Sequence, residues 1–357
     1  MIGIGSLFRE AVRNTRSGTS RFGLSVAALV STVLLSLGLE VADIWQLRSQ
    51  ADAFSQSGAS IQTVRSENNI SGAGCEALNV GTVRAGALRS SEAKVSAAAL
   101  PGSTIPTFFV SLSFARMVID NYQGPDAGGV LISRQLADSL GLEAGEAFHA
   151  TSGQTNVLGV FDFPQDGRRS DLGYAILQPS FSVGTFDECW ASSWPNDTDL
   201  TRLLSATQLP SGDDAARSAE FSQVNSTFGR HFNGYERFIT RLTRAIPVLV
   251  VPATIAITAL LGAMRKLEYA SLLHVGFHRR HLWLISVFEL GFVIAAGAII
   301  MTPLALAVAA LSDGLQQTLF EVFAGTLVAG SVGVLIGSGW IVLSIREDKL
   351  FQYFKER

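Results

Sequence analysis

The sequence predicts an α-helical membrane protein with four transmembrane helices and an α+β extracytoplasmic domain, carried on a helical stalk inserted between helices 1 and 2. Three observations lead there. Hydrophobic residues make up 48% of the 357-residue chain, and they are bunched into four runs rather than spread with one period; a run of about 20 apolar residues suffices to cross a bilayer as a helix. Charge is sorted along the chain: basic excess collects at 1–21, 264–281 and 346–357, whereas 42–243 holds 14 Lys+Arg against 21 Asp+Glu. Basic residues favour the cytoplasmic face, so the sorting reads as a topology. Between the first two apolar runs lie short alternating stretches separated by Gly, Pro, Asp and Ser, the pattern of a globular α+β domain.

Residues 1–21 carry Arg9, Arg13, Arg16 and Arg21 interleaved with Leu7, Phe8, Ala11 and Val12. They read as a cytoplasmic amphipathic helix on the inner membrane surface; a disordered basic leader is the competing reading. The first span is 22–41. A cleaved signal peptide would give a similar basic-then-apolar order, but its apolar core is usually only about 7 to 15 residues and a small-residue cleavage site should follow. The stretch 42–56 has Ile44, Leu47, Ala51 and Phe54 at three-four spacing, which extends the helix outward as a stalk. In the return segment 211–244, Phe221, Val224, Phe228, His231, Tyr235, Phe238 and Leu242 step by threes and fours, which predicts a second stalk helix able to pair with the first. A helix packing on the domain's own core would show the same seam.

The domain between them is 57–210, with strands expected at Thr82–Leu88, Thr107–Leu112, Gly129–Ile132, Val157–Phe163 and Gly173–Leu177. Cys75 and Cys189, the chain's two cysteines, both fall there. In an oxidising compartment such a pair is expected to form a disulfide, the alternative being two separate buried thiols. The remaining spans are 245–263, 282–305 and 322–345, with an outer loop at 306–321 and a cytoplasmic tail at 346–357. Ala329, Gly333 and Gly337, four apart, offer a close-packing helix face in the fourth span. Glu289 stands inside the third, where a charge costs roughly 2.5 to 3.5 kcal/mol on insertion scales and is therefore expected to face protein.

The segment 264–281 is a cytoplasmic loop with Arg265, Lys266, Arg279 and Arg280 against Glu268 alone. From Leu267 to Val275 it has neither Gly nor Pro, enough for one short helix that Gly276 ends. Glu268, Leu272, Gly276 and the Arg279–Arg280 pair, followed by Glu289 in the next apolar run, resemble the loop between the second and third membrane helices of FtsX-like (MacB-type) ABC transporter permeases. Tyr269, Ala270, Ser271, Leu273 and His274 depart from that pattern. The resemblance implies a permease subunit whose loop helix docks on a separate ATPase, with Glu268, Leu272, Gly276, Arg279 and Arg280 as coupling residues; Leu273 joins them because, beside Leu272, it forms an apolar knob on the short helix. It also implies ATP and magnesium on that partner and none in this chain, and a second permease subunit, the same chain or a related one. An extracytoplasmic protein is a further candidate partner, and the location implied is a bacterial cell membrane with both termini inside.

Several chemistries have no anchor. No lysine follows a glycine, which excludes the phosphate-cradling P-loop; His-Glu-x-x-His and Gly-x-Ser-x-Gly are absent too. A net charge of −3 gives no pull toward nucleic acid. His274, His278 and His281 are spaced as a helical metal face, but Gly276 interrupts the helix and Arg279 and Arg280 oppose a cation, so no metal is expected. The sequence therefore predicts a non-catalytic subunit. Its rival is a membrane-anchored sensor or binding protein that couples to no ATPase.

Overall fold

The computed structural model describes residues 3–93, 95–119, 122, 128–181, 183–194, 200–210, 219–312 and 314–346. The chain divides into a sheet unit, Arg48–Gly234, and a helical unit made from the residues on either side of it.

Two helices open the helical unit, α1 (Ile4–Arg16) and α2 (Phe22–Gln56), the latter running on into the sheet unit. The sheet unit then contributes β1 (Ile61–Ser71), α3 (Gly72–Glu76), β2 (Arg84–Ser90), β3 (Thr107–Ser111), α4 (Leu112–Val118), β4 (Gly129–Ser133), α5 (Arg134–Leu140), β5 (Ala147–Ala150), β6 (Gly153–Phe161), β7 (Ile176–Ser180), β8 (Thr185–Ser192), α6 (Leu200–Ser205) and β9 (Glu220–Gln223). The helical unit resumes with α7 (Gly234–Thr240), a 3-10 turn (Leu242–Ala245), α8 (Ile246–Ala263), α9 (Lys266–His274), α10 (Arg279–Ala310) and α11 (Gln316–Ser344).

Among the described residues, four stretches are long and apolar enough to cross a membrane: Phe22–Gln56, Gly234–Ala263, Arg279–Ala310 and Gln316–Ser344. The last two extend past the predicted spans and reduce the expected 306–321 loop to a short turn near Gly314, because nothing between Leu304 and Ala310 breaks the helix once Pro303 is accommodated within it. Asp313 in that loop, and Lys349, Lys355 and Arg357 in the predicted tail, lie outside the described residues.

The fourth long helix packs closely on α8. A Cβ on Gly333 would stand 2.5 Å from the Val251 carbonyl oxygen, and one on Gly337 2.9 Å from that of Ile255. Glycine is therefore required at both positions for the backbones to approach this closely. Ala329 is only half-buried; Gly330, one residue on, is buried and faces Leu29 and Val250.

In the sheet unit the described strands form one mixed sheet in the order β5-β6-β4-β7-β3-β2-β8-β1-β9. The pairs β3/β7 and β4/β6 are parallel and the others antiparallel. Its central core gathers Leu88, Phe108, Val110, Phe114, Leu131, Phe161 and Trp190. A disulfide joins Cys75 on α3 to Cys189 on β8, across 114 residues. Glu188 on β8 is buried, and it accepts hydrogen bonds from Arg169 (2.6 and 3.1 Å) and from the Trp190 indole (3.0 Å). Burial pulls the Arg169 guanidinium down, but its bonds to Glu188 and Asp171 outweigh that and its pKa is raised.

The aromatic seam from Phe221 to Leu242 does not form one stalk helix. Phe221 lies on β9 opposite Val64 of β1, Val224 enters the core, and helix resumes only at Gly234. Gly229, with φ of 83°, turns the chain between them, and nearby Phe232 stacks on Phe54 and Trp194. Phe221 and Val224 thus serve a sheet edge and the sheet core, and of the seam only Tyr235 and Phe238 lie on an α-helix, α7. Residues 211–218, the start of the predicted stalk, lie outside the described residues.

Candidate functional site

Helix α8 ends at Ala263, and Arg265 takes the position just before α9. From there its guanidinium reaches two carboxylates. Nε donates to Glu268 Oε2 at 2.9 Å, three residues on; Nη1 donates to Glu289 Oε2 at 2.5 Å and Nη2 to Oε1 at 3.4 Å. Glu289 shares a face of α10 with Leu282, Ile285, Ser286 and Val293, at the three-four spacing of a buried helix side. That face points inward, leaving Glu289 5% and Arg265 7% exposed. Burial lowers the Arg265 pKa, but the hydrogen bond to Glu289, followed by the electrostatic effects of Tyr269 and Glu289, raises it overall.

A third element reads the same carboxylate. Asn14, near the end of α1, donates Nδ2 to Glu289 Oε1 at 2.8 Å. Leu7 and Ala11 of that helix pack with Ile285, and Phe8 meets Phe288 and Phe292 edge-on at 5.5 and 5.7 Å. The Arg265 guanidinium lies 5.0 Å over the Tyr269 ring, whose hydroxyl is 3.1 Å from Ser286 Oγ. Beside this group is a cavity of about 60 Å³ with a hydroxyl-rich wall that includes Ser20, Thr254, Thr258, Ser286 and Ser338.

The expected loop residues divide into two groups. Glu268 is tied to Arg265. Leu273, 9% exposed, is packed among Tyr269, Ala270, Leu282, Ile341 and Val342, so it holds α9 on the bundle instead of standing out as a docking knob; Leu272 is partly buried against the same group. Gly276 follows the helix with φ of 98°, and the backbone N–H groups of Gly276 and Phe277 bond back to the carbonyls of Leu273 and Leu272. This is the glycine stop that closes a helix C-terminus. Arg279 turns to the carbonyls of Leu343 and Ile345 at 3.4 and 3.3 Å, where the end of α11 favours a cation. Arg280 is exposed. The exposed residues of this segment are Met264, Ser271, His274, Val275, Gly276, His278, Arg279 and Arg280, of which Ser271, His274, Val275 and Gly276 lie at the end of α9. The His278 and His281 rings lie 5.5 Å apart, but no grouping of metal-ligand side chains occurs among the described residues.

Sequence reasoning located Glu289 and Glu268 but counted Arg265 only as a loop charge, although its place three residues before Glu268 could have marked an ion pair. Asn14 carried no such signal. Glu40, buried on α2, was also missed because it stands at the predicted end of the first span.

No protein-family model matches the chain, and no curated protein matches it. Among solved structures, the crystal structure of the periplasmic region of MacB from Actinobacillus actinomycetemcomitans matches 50% of this chain and 94% of its own length. The identity is 9% and the TM-score 0.35.

Proposed function

We propose that this chain is the transmembrane permease subunit of a MacB-type ABC system, in a bacterial cell membrane with both termini and the α9 segment inside and the sheet unit outside. A separate ATPase, holding ATP and magnesium, pushes on the α9 segment. Two such permease subunits, identical or related, complete the unit. The chain itself catalyses nothing; it passes motion to the sheet unit, which expels a lipid, peptide or drug or activates a cell-wall hydrolase.

The observation that carries this reading is the Arg265–Glu289 pair behind the short helix. A loop that merely links two spans needs no buried charge beneath it. A helix that must deliver force needs a stiff mount, and a buried, hydrogen-bonded ion pair reaching α10 and α1 supplies one. The resemblance of Glu268, Leu272, Gly276, Arg279, Arg280 and Glu289 to the coupling loop of FtsX-like permeases points the same way.

The test is co-purification of the full chain with the P-loop ATPase encoded beside it, followed by turnover in nanodiscs. A stable complex whose turnover changes with the permease present is the expected result. Absence of any ATPase partner overturns the reading and favours the sensor.

A further inference from the structure

Only two covalent connections join the units, one through α2 at Leu47–Arg48 and one at Gly234–Tyr235. Within the helical unit these two connecting segments are tied side by side by polar groups. Arg241, in the break between α7 and the 3-10 turn, places Nη2 3.7 Å from Glu40 Oε2 on α2. Two residues on, Thr243 donates to Asp43 Oδ2 at 2.5 Å. Thr326 of α11 sits 3.5 Å from the other Glu40 oxygen, and Phe238 lies beneath the guanidinium at 3.9 Å.

The pair is buried and loosely made. The Arg241 side chain is 9% exposed and that of Glu40 2%, yet Nε and Nη1 of Arg241 have no hydrogen-bond partner among the described residues. Buried guanidinium donors are normally satisfied, and an arginine beside a carboxylate normally closes to a bidentate contact below about 3 Å. Arg241 also occupies an extended residue between two helical pieces, with ψ of 138°, where a small backbone rotation re-aims the side chain.

We propose that Glu40 and Arg241, steadied by Asp43 and Thr243, form a clasp with an open and a closed position that makes the two connecting segments move as one. The structure holds the open position; closing brings the spare donors onto Glu40. Glu40 and Arg241 are thus positioning residues for transmission. The clasp itself does not rest on the ATPase reading, although its use in transmission does.

The experiment places spin labels on the full chain at the exposed residues Ala42→Cys and Leu242→Cys, with Cys75 and Cys189 left in their disulfide, and measures distance distributions in nanodiscs. The unmodified clasp should give one or two narrow distances. Arg241→Gln and Glu40→Gln should each broaden the distribution at least twofold, and the exchanged pair Glu40→Arg with Arg241→Glu should narrow it again, an outcome that lost packing alone does not produce. Distributions unchanged by both single variants overturn the clasp, as does an exchanged pair as broad as the singles. If one single variant does not fold, the other and the exchanged pair still decide. Should an ATPase be in hand, vanadate trapping should preserve the inter-label distance in the native clasp and not in Arg241→Gln. Parting of the labels in the native clasp overturns its role in transmission while leaving the ATPase assignment intact.

Discussion

Arg265 and Glu289 approach to 2.5 Å with both side chains more than nine-tenths buried, so the loop before α9 and the interior face of α10 are held by charge at a place where neither charge could stand alone. Removing one member of such a pair costs about 3–5 kcal/mol, because the other stays buried without a partner. Glu289→Gln is therefore expected to lower stability by about 3 kcal/mol while leaving membrane insertion intact. Arg265→Met with Glu289→Leu should recover most of the loss. Thermal unfolding in detergent across the double-mutant cycle measures this, and additive single effects would show that the pair is not coupled.

The Cys75–Cys189 disulfide should contribute through the chain entropy it removes. Closing a loop of 114 residues corresponds to about 4 to 5 kcal/mol in the loop-entropy treatment. Cys75→Ser with Cys189→Ser is expected to lose a large part of that, read as a lower denaturation midpoint of the full chain. Alkylation after denaturation without reductant should label neither cysteine in the native protein.

Gly333 and Gly337 bring α11 against the carbonyls of α8. Gly333→Val should force the helices apart, since no nearby side-chain rotation relieves a contact with Val251 O. Gly325→Val, with nothing within 4 Å of its Cβ, is the matched control on the same helix. Cysteine cross-linking between α8 and α11 should fall in the first variant and persist in the second; equal effects would mean that the small residues do not set the spacing.

How far the sequence discloses these features depends on whether the signal is local. The loop helix was legible because Leu267 to Val275 lacks breakers and Gly276 follows. The depth of Glu289 was legible from its distance into an apolar run. Its partner Asn14 is 275 positions away, and no periodicity links them. Strand β1 escaped notice because Asn68, at φ of 50°, sits in a bulge that breaks its alternation. In β8 the buried Glu188 replaces an apolar residue and is intelligible only beside Arg169. The stalk seam was the reverse case: a helical spacing that runs through a strand and a turn, since Phe221 pairs across β9 and β1 and only Tyr235 and Phe238 lie on α7.

The exposed edge of α9 gives the sharpest test of coupling. Val275 is 77% exposed directly after the helix, whereas Leu273 on the same element is buried against α10 and α11. An apolar side chain left open beside a rigidly mounted helix suits a partner's groove, and an aspartate there would have to be buried unpaired on docking. Val275→Asp should therefore leave folding unchanged while weakening ATPase capture at least tenfold and removing stimulated turnover. Leu273→Asp should instead destabilise the chain itself, because its charge would enter the packing between α9, α10 and α11. Thermal unfolding of the isolated chain, alongside ATPase pull-down, separates the two outcomes. If Val275→Asp binds and stimulates the ATPase as the native chain does, the motor contacts another surface and Val275 is not part of the dock.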